Sequence, residues 1–518
     1  MDAVSSSDLS IAAAPRTVRV HSWHLVGGLM IVALVLRVLG GIGRPLWLDE
    51  AYSAWFSARS WQVLWTEVPT YETHPPFYYS LLKLWRAMAG DGALELRSFS
   101  WLFAVAVIPV VVAAANEIER QRPSGQSFLR MGLAACLTAV SPMLVLMGAE
   151  ARPYPLLIFA YALAVLGVLR LLREFRDGPG DLGSWLILVA GTELGLWAHG
   201  LGAIYAACLA VAVLPAWLRR PERSTIIRGA VAATVVLLLY LPCLLMIARR
   251  VGDWGTGWLS WEPGMALQLL GLYTVPVEVL TISSAVAALI MVLLAKRAVE
   301  HGLRDKGWTA DRALLLLWWG PPLAAILISS LVIPVFLPRT LTPTLIPAYL
   351  ALAGAVARSA SARERFVLSA ALTITLLPAA VQVALRPATE PWDDVSTYLS
   401  SHVARGDQVW LYPNDSELPL RAAGSQLPMR GIPGDYPATT FKGPIRAGSP
   451  AVVSLTARQA DEVASDPKIG QVKTIWLVTR QTGIFDPAGD VPRALSRSRN
   501  PGAEQRWEAI AVRPYTLR

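Results

Sequence analysis

Apolar runs of roughly 17–22 residues recur from position 22 to position 385, separated by short polar connections. That is the length an α-helix needs to cross a bilayer. The runs predict about eleven spans, at 22–43, 97–116, 129–148, 153–172, 184–199, 201–218, 227–248, 277–296, 312–333, 340–357 and 365–385. Residues 184–218 are nearly continuous in apolarity, yet one helix of that length would run about 52 Å at ~1.5 Å per residue, too long for a ~30 Å core. His199-Gly200-Leu201-Gly202 is the natural hairpin between two shorter spans. The piece 74–90 is shorter and carries Lys83 and Arg86 in its body. A central Lys or Arg costs about 2.5–3.5 kcal/mol, while each Leu returns only about 0.5. This predicts an amphipathic segment lying in the interface, not a span.

Beyond 387 the pattern becomes mixed and soluble-like. A helix is predicted at 391–404, and strands in DQVWLYP (407–413), PAVVSL (450–455), KTIWLVT (473–479) and WEAIAV (507–512). TARQADEVAS (456–465) is helical between two of them. The expected fold is therefore a polytopic α-helical membrane protein with a small C-terminal α/β domain. Its expected divisions are a cytoplasmic N-terminus at 1–21, a membrane unit at 22–386 with a first outer loop at 44–96, and the α/β domain at 387–518, placed outside the membrane.

Composition agrees. Of 518 residues, 54% are hydrophobic and only 16% charged, where soluble domains carry about 25%. No short apolar region with a small-residue cleavage site opens the chain, so 21–43 is read as a retained anchor. Cys136, Cys208 and Cys243 all fall in apolar runs. They suit membrane packing, and no disulfide framework is expected in the tail. The net charge of +9 fits basic cytoplasmic loops better than nucleic-acid binding. With the N-terminus inside, twenty Lys and Arg fall on inner segments and nine on outer loops, the tail excluded. That bias supports the orientation, and counting 74–90 as a span would reverse it.

In this topology the notable polar residues gather on the outer side. Asp49 and Glu50 follow the first span, and His74, Lys83, Arg86 and Arg97 belong to the first outer loop. Glu150 and Arg152 join the third and fourth spans, His199 sits at the hairpin, and Arg339 joins the ninth and tenth. Ten aromatic residues run from Trp47 to Tyr79. Ionisable groups at the membrane are costly and are functional candidates by default. The set suits transfer of a group from a phosphate leaving group. A carboxylate takes the proton from an attacking hydroxyl. Arg, Lys or His neutralises the departing phosphate. Aromatic faces hold a sugar ring or an isoprenoid chain.

Each residue alone also fits a structural role. Asp49 fits an N-cap of AYSAWFSA with Glu50 in the first turn. His74 fits an N-cap with proline at N1. Glu150 and Arg152 fit a mutual pair, Arg339 a snorkelling helix-end arginine, and His199 a glycine-flanked turn. The aromatics fit an interfacial belt. Joint placement on one face is what favours chemistry.

At these residues the chain resembles the GT-C superfamily of integral-membrane glycosyltransferases, in the protein-mannosyltransferase-like branch that includes bacterial aminoarabinose and uronic-acid transferases. The matching pieces are WLDE (47–50), HPPFYY (74–79), ELR (95–97), EARPY (150–154), WAHG (197–200) and FLPR (336–339). The tail segment from Pro391 to Tyr412 also looks like the post-membrane segment of many bacterial members. The resemblance implies a polyprenyl-phosphate sugar donor and inverting transfer to a hydroxyl of a glycolipid, lipopolysaccharide or polysaccharide on the outer face of a bacterial plasma membrane. It implies Asp49 as base, with Glu50 and Glu150 as further catalytic carboxylates. Donor contacts are expected from His74, Lys83, Arg97, Arg152, Tyr154, His199 and Arg339. No loop is long enough for an added β-trefoil domain, which weakens a protein acceptor. No cofactor is required. A divalent metal is compatible but not indicated, since one Arg or Lys balances a monophosphate and no metal-ligand pattern is evident. The rival readings are a lipid-linked sugar transporter or flippase, which would favour internal repeats and paired broken helices, and a membrane scaffold, which has no use for acids and bases at one face.

Overall fold

The structure is a computed structural model; the described residues are 16–220, 222–249, 261–273, 282–304, 306–439 and 452–518. The first outer loop holds three short helices between the long α1 (Arg16–Gly41) and α5 (Ala93–Gln121): α2 (Leu48–Ala58), α3 (Trp61–Thr66) and α4 (Phe77–Ala89). The bundle continues with α6 (Ser127–Val140), α7 (Pro142–Gly148), α8 (Tyr154–Glu174), α9 (Leu182–Ala198), α10 (Gly202–Trp217) and α11 (Arg223–Ala248). It closes with α12 (Gln268–Tyr273), α13 (Ile282–Arg304), α14 (Ala310–Leu331), α15 (Leu345–Ala357) and α16 (Ala362–Ala384).

Every predicted span meets a helix, although residues 277–281 lie outside the described residues. Among the described residues seven helices are long and apolar enough to cross a membrane, or eight if the bent pair α6–α7 is one span. α9 and α10 are shorter apolar helices, as a split 184–218 requires. The chain is a multi-pass membrane protein. The segment 74–90 is amphipathic α4, with Tyr78, Tyr79, Ser80 and Leu82 buried.

Burial sorts the helices. α15 is buried along its whole length, hydrophobic all round because it has neighbours all round. α11 exposes most of its leucines, as a lipid-facing helix does. α8 and α9 cross closely because glycines allow it: a Cβ on Gly191 would stand 2.5 Å from the Ala164 amide, and one on Gly167 2.7 Å from the Leu188 amide.

The span predicted as one helix at 129–148 is broken, with a 55° bend between α6 and α7. Pro142 supplies no N–H and its ring disfavours the helical turn before it. Ser141 caps the new start, accepting from the Leu144 amide at 3.4 Å, and receives the Tyr349 hydroxyl at 2.7 Å. The carbonyls stranded at the break are met by Arg37 of α1, which donates to Ala139 O at 2.6 Å and Thr138 O at 3.3 Å. A buried arginine in the first span thus serves the helix break, since orphan carbonyls in lipid must find a donor.

After α16 comes α17 (Trp392–His402), followed by strands β1 (Gln408–Tyr412), β2 (Met429–Gly431), β3 (Thr474–Arg480), β4 (Arg499–Pro501), β5 (Gln505–Trp507) and β6 (Ile510–Leu517). The sheet order is β2-β1-β3-β6-β4, with β5 also on β6; β1 pairs parallel with β2 and β3, and the β6 pairings are antiparallel. Central β3 is buried at all seven positions, as a strand covered on both faces should be. Two strand expectations need correction. WEAIAV is a hairpin, turned at Glu508, which has φ 42°. In PAVVSL the described residues 452–455 form no strand. The Leu455 amide bonds the Tyr412 hydroxyl at 2.8 Å and the Ser454 hydroxyl donates to the Phe485 carbonyl, contacts that hold the segment without a strand partner. The predicted helix 456–465 forms from Ala457 to Ala464 with a Thr456–Gln459 capping box.

Candidate active site

One end of the bundle collects the connections after α1, α7, α9, α14 and α16. Asp49 lies where they meet. It sits in the first turn of α2, where a carboxylate suits the helix dipole, but it is not the cap. The Leu48 amide is bonded instead by Glu390 Oε2 at 3.0 Å, a residue from beyond the last span. Asp49 Oδ2 faces Arg339 Nη2 at 3.3 Å and Arg152 Nη2 at 3.8 Å. It accepts no hydrogen bond within the chain. Arg152 is fixed by donating Nη1 to the Asp49 carbonyl at 2.9 Å. Burial pushes the Asp49 carboxyl upward, but Arg152 and Arg339 outweigh it and hold it below the usual range.

Glu50, the next residue, has the opposite surroundings. It is fully buried and forms a two-pronged pair with Arg97, at 2.8 and 2.6 Å. Its Oε1 also accepts the Ala151 amide at 2.8 Å. Arg97 sends its remaining donors to the carbonyls of Gly41, Arg44 and Pro45 at 2.7–2.9 Å. Those five bonds exhaust a guanidinium. The pair ties the chain after α1 to α5 and to the turn that carries Arg152, and leaves Arg97 no donor for a phosphate.

Glu150 is 12% exposed, with Arg386 Nη2 3.7 Å from it. Burial, with the nearby Glu50, raises its carboxyl to about 7 against the pull of Arg386 and Arg339. Arg386 was not among the sequence candidates; it follows the last span, where it reads as an ordinary flanking arginine.

Two histidines line the site. His74 is not a cap either, because Pro76 holds that place before α4. Its Nδ1 lies 2.7 Å from Glu72 Oε1, which also accepts the His74 amide at 2.9 Å. Burial tends to raise the Glu72 carboxyl, but its bonds to His74 lower it overall. The His199 ring stands edge-on to His74 with centroids 4.6 Å apart. His199 Nδ1 accepts the Leu201 amide at 3.1 Å, which puts its proton on Nε2. Burial, aided by His74 and Arg152, holds its pKa well below the usual value, so the ring is neutral. Tyr154 packs on His199 at 5.8 Å and lies under the Arg152 guanidinium at 5.9 Å. Arg339 lies over the Trp47 ring at 5.8 Å. Lys83 lies apart: it donates to the Arg59 carbonyl at 2.8 Å and faces Trp61.

The tail contributes residues that the sequence did not flag. Arg480 of β3 bonds Glu390 Oε1 at 2.6 Å, and the Tyr52 hydroxyl donates to Asp415 at 2.7 Å. Tyr436 packs against Tyr52 and Trp55, at 5.3 and 5.2 Å. The C-terminal sheet thus seats on α2 beside Asp49. Among the described residues no three His, Cys, Asp or Glu side chains are grouped to hold a metal ion.

The overall fold resembles that of solved membrane proteins. ArnT from Cupriavidus metallidurans, in the apo state, aligns with a TM-score of 0.60 at 14% identity, over 96% of this chain and 98% of that one. The same protein bound to undecaprenyl phosphate gives 0.58 at 15%, with the same coverage. The archaeal oligosaccharyltransferase AglB from Archaeoglobus fulgidus, in complex with an inhibitory peptide and a dolichol-phosphate, gives 0.56 at 13%, over 97% of this chain and 75% of that one. The chain therefore has the GT-C fold. No family model and no curated protein matches its sequence.

Proposed function

We propose that the chain is an inverting glycosyltransferase that moves a sugar from a polyprenyl-phosphate donor to a hydroxyl acceptor. The carrying observation is Asp49 between Arg152 and Arg339, with one carboxylate oxygen that accepts no hydrogen bond within the chain. The GT-C fold, shared with proteins solved with undecaprenyl phosphate and dolichol-phosphate, supports the reading.

The acceptor oxygen attacks the anomeric carbon as its proton passes to Asp49. The bond from that carbon to the phosphate oxygen breaks, and its electron pair leaves with the prenyl phosphate. Attack opposite the leaving group inverts the centre. Arg339 and Arg152 neutralise the departing charge in a site sheltered from water, where such contacts are strongest. No cofactor or metal takes part in this scheme. His74, His199 and Tyr154 line the same cleft and would face the donor headgroup. Glu50 and Arg97 act as positioning residues, and Glu150, facing Arg386, belongs to the charge cluster around them. The acceptor is a glycolipid or polysaccharide, and the membrane is a bacterial plasma membrane with the site and the 387–518 unit outside.

Purified protein given defined prenyl-phosphate sugars should release prenyl phosphate. Asp49→Asn keeps the shape but cannot take the proton, so turnover should fall by about 10²–10⁴-fold. Undiminished turnover by that variant ends the base assignment. Sidedness is tested separately with single cysteines at exposed Ser401 and at half-buried Ser124 in a cysteine-free variant. An impermeant thiol reagent should label the first on intact cells and the second only after lysis. Labelling of both from outside would reverse the orientation.

A further inference from the structure

The end of the bundle away from Asp49 holds a cavity of about 210 Å³ between the ends of α5, α8 and α10 and the start of α14. At about 30 Å³ per water it has room for roughly seven, or for a phosphate bearing a short polyol. Its lining includes Gln121, Arg176, Arg219, Trp308 and Thr309.

Gln121 is the unusual member. It is only 8% exposed, and its Oε1 has no hydrogen-bond partner. Its Nε2 donates to the Leu169 carbonyl at 2.7 Å, which fixes the amide so that Oε1 is the free end. A buried acceptor without a donor is costly, and is best explained by a group that donates to it. The two guanidiniums add the opposite requirement. Arg176 reaches the Gln121 carbonyl at 3.5 Å, and Arg219 lies beside Gly307. Neither has a carboxylate partner among the described residues. The nearby Asp311 is already paired, with Arg122 at 2.9 Å and Arg358 at 3.2 Å. The Trp308 indole donates to the Ala212 carbonyl at 2.8 Å and fixes one wall. The end of α10, which supplies Ala216 to the lining just before Arg219, presents an apolar rim in Leu214 and Leu218, 44% and 63% exposed. Arg219 directly follows this apolar helix, at the level where lipid headgroups lie.

We propose that this cavity binds the headgroup of an anionic phospholipid that carries a free hydroxyl, as phosphatidylglycerol does. Its phosphate lies against Arg176 and Arg219, its hydroxyl donates to Gln121 Oε1, and its acyl chains follow the apolar rim. Basic pockets between membrane helices bind anionic headgroups by this chemistry.

Native mass spectrometry of delipidated full-length protein tests it. One phosphatidylglycerol should survive activation that strips phosphatidylcholine. The double variant Arg176→Gln/Arg219→Gln should retain at least tenfold less, with an unchanged melting temperature in detergent. Arg304→Gln, at an exposed arginine of the same end, should retain it fully. Equal retention by the double variant, or of phosphatidylcholine by the wild type, overturns the site. Glycerol 1-phosphate binding as tightly as the lipid would mean a soluble anion and would overturn the lipid assignment. Should the double variant fold poorly, Gln121→Leu decides: it should abolish the preference for phosphatidylglycerol over phosphatidic acid, which lacks the hydroxyl. A surviving preference sinks the proposal.

Discussion

Asp49 and Asp311 are both poorly exposed aspartates facing two arginines, at opposite ends of one helix bundle. Asp311 accepts direct bonds from Arg122 at 2.9 Å and from Arg358 at 3.2–3.3 Å, and its side chain is 6% exposed. Asp49 holds its arginines at 3.3 and 3.8 Å, with Oδ2 unbonded and 17% of the side chain exposed. The first pair is closed and ties α5, α14 and the α15 end together. The second is held apart. Its charges attract without being used up, so a phosphate and a hydroxyl can enter between them. Distance and unspent hydrogen-bonding capacity separate a structural ion pair from a site, since residue type is the same in both.

The sharpest break of this comparison uses the neighbour of Asp49. Glu50→Gln removes the charge that balances Arg97 in a fully buried pair. Removing one partner of such a pair costs about 3–5 kcal/mol, because the other charge is stranded. We expect a large fall in melting temperature, of the kind Asp311→Asn should also give. Asp49→Asn should lower the melting temperature far less, because its arginines stand off at 3.3 and 3.8 Å, while cutting turnover by about 10²–10⁴-fold. If Asp49→Asn destabilises as much as Asp311→Asn, the two ends do not differ in kind.

The next effect is a pH dependence. Glu150 titrates near 7 in the folded protein, against 4.5 for an ordinary glutamate, because burial and Glu50 disfavour its charge. A raised folded pKa adds stability that is fully present below about 4.5 and is lost as pH rises through about 7. At about 1.4 kcal/mol per pKa unit the contribution is on the order of 3 kcal/mol. Asp49 contributes with the opposite sign, its stability being lost as pH falls below the ordinary carboxylate range. Melting curves from pH 5 to 8 should therefore decline more steeply for the wild type than for Glu150→Gln. Parallel curves would show that Glu150 does not carry the shift.

Much of this was legible in the chain because helix length and charge bias act locally. Lys83 and Arg86 made α4 too costly as a span, and the parity that followed brings Asp49, Glu150, Arg152, His199 and Arg339 to one end. Legibility ended where partners come from far away. Nothing near Glu50 announces that Arg97 will consume it, since the pair closes over 47 residues. Lys83 and Arg97 looked equally free to meet a phosphate, and both are held by carbonyls. Arg480 and Glu390 sit in soluble-like sequence, and only the sheet's seating on α2 makes them neighbours of the site. The bend at Ser141 was written in Pro142, but apolarity over 129–148 concealed it.

The smallest effect concerns affinity. Arg339 is 30% exposed, stacked near Trp47, and its Nε has no partner. It can turn toward a ligand without breaking a bond, whereas Arg152 must keep its hold on the Asp49 carbonyl. Arg339 should therefore supply the main contact to the donor phosphate. Arg339→Ala should weaken binding of prenyl phosphate by about 1.5–3 kcal/mol, the scale of a charge-assisted hydrogen bond. Arg358→Ala, which opens the closed pair at the other end, should lower stability and leave that affinity alone. Arg339→Lys keeps the charge but not the planar fork, so it should recover part of the loss. Titration of prenyl phosphate against the three variants checks this. Equal affinity for wild type and Arg339→Ala would shift the phosphate to Arg152 and the histidines, and with it the direction from which the donor enters.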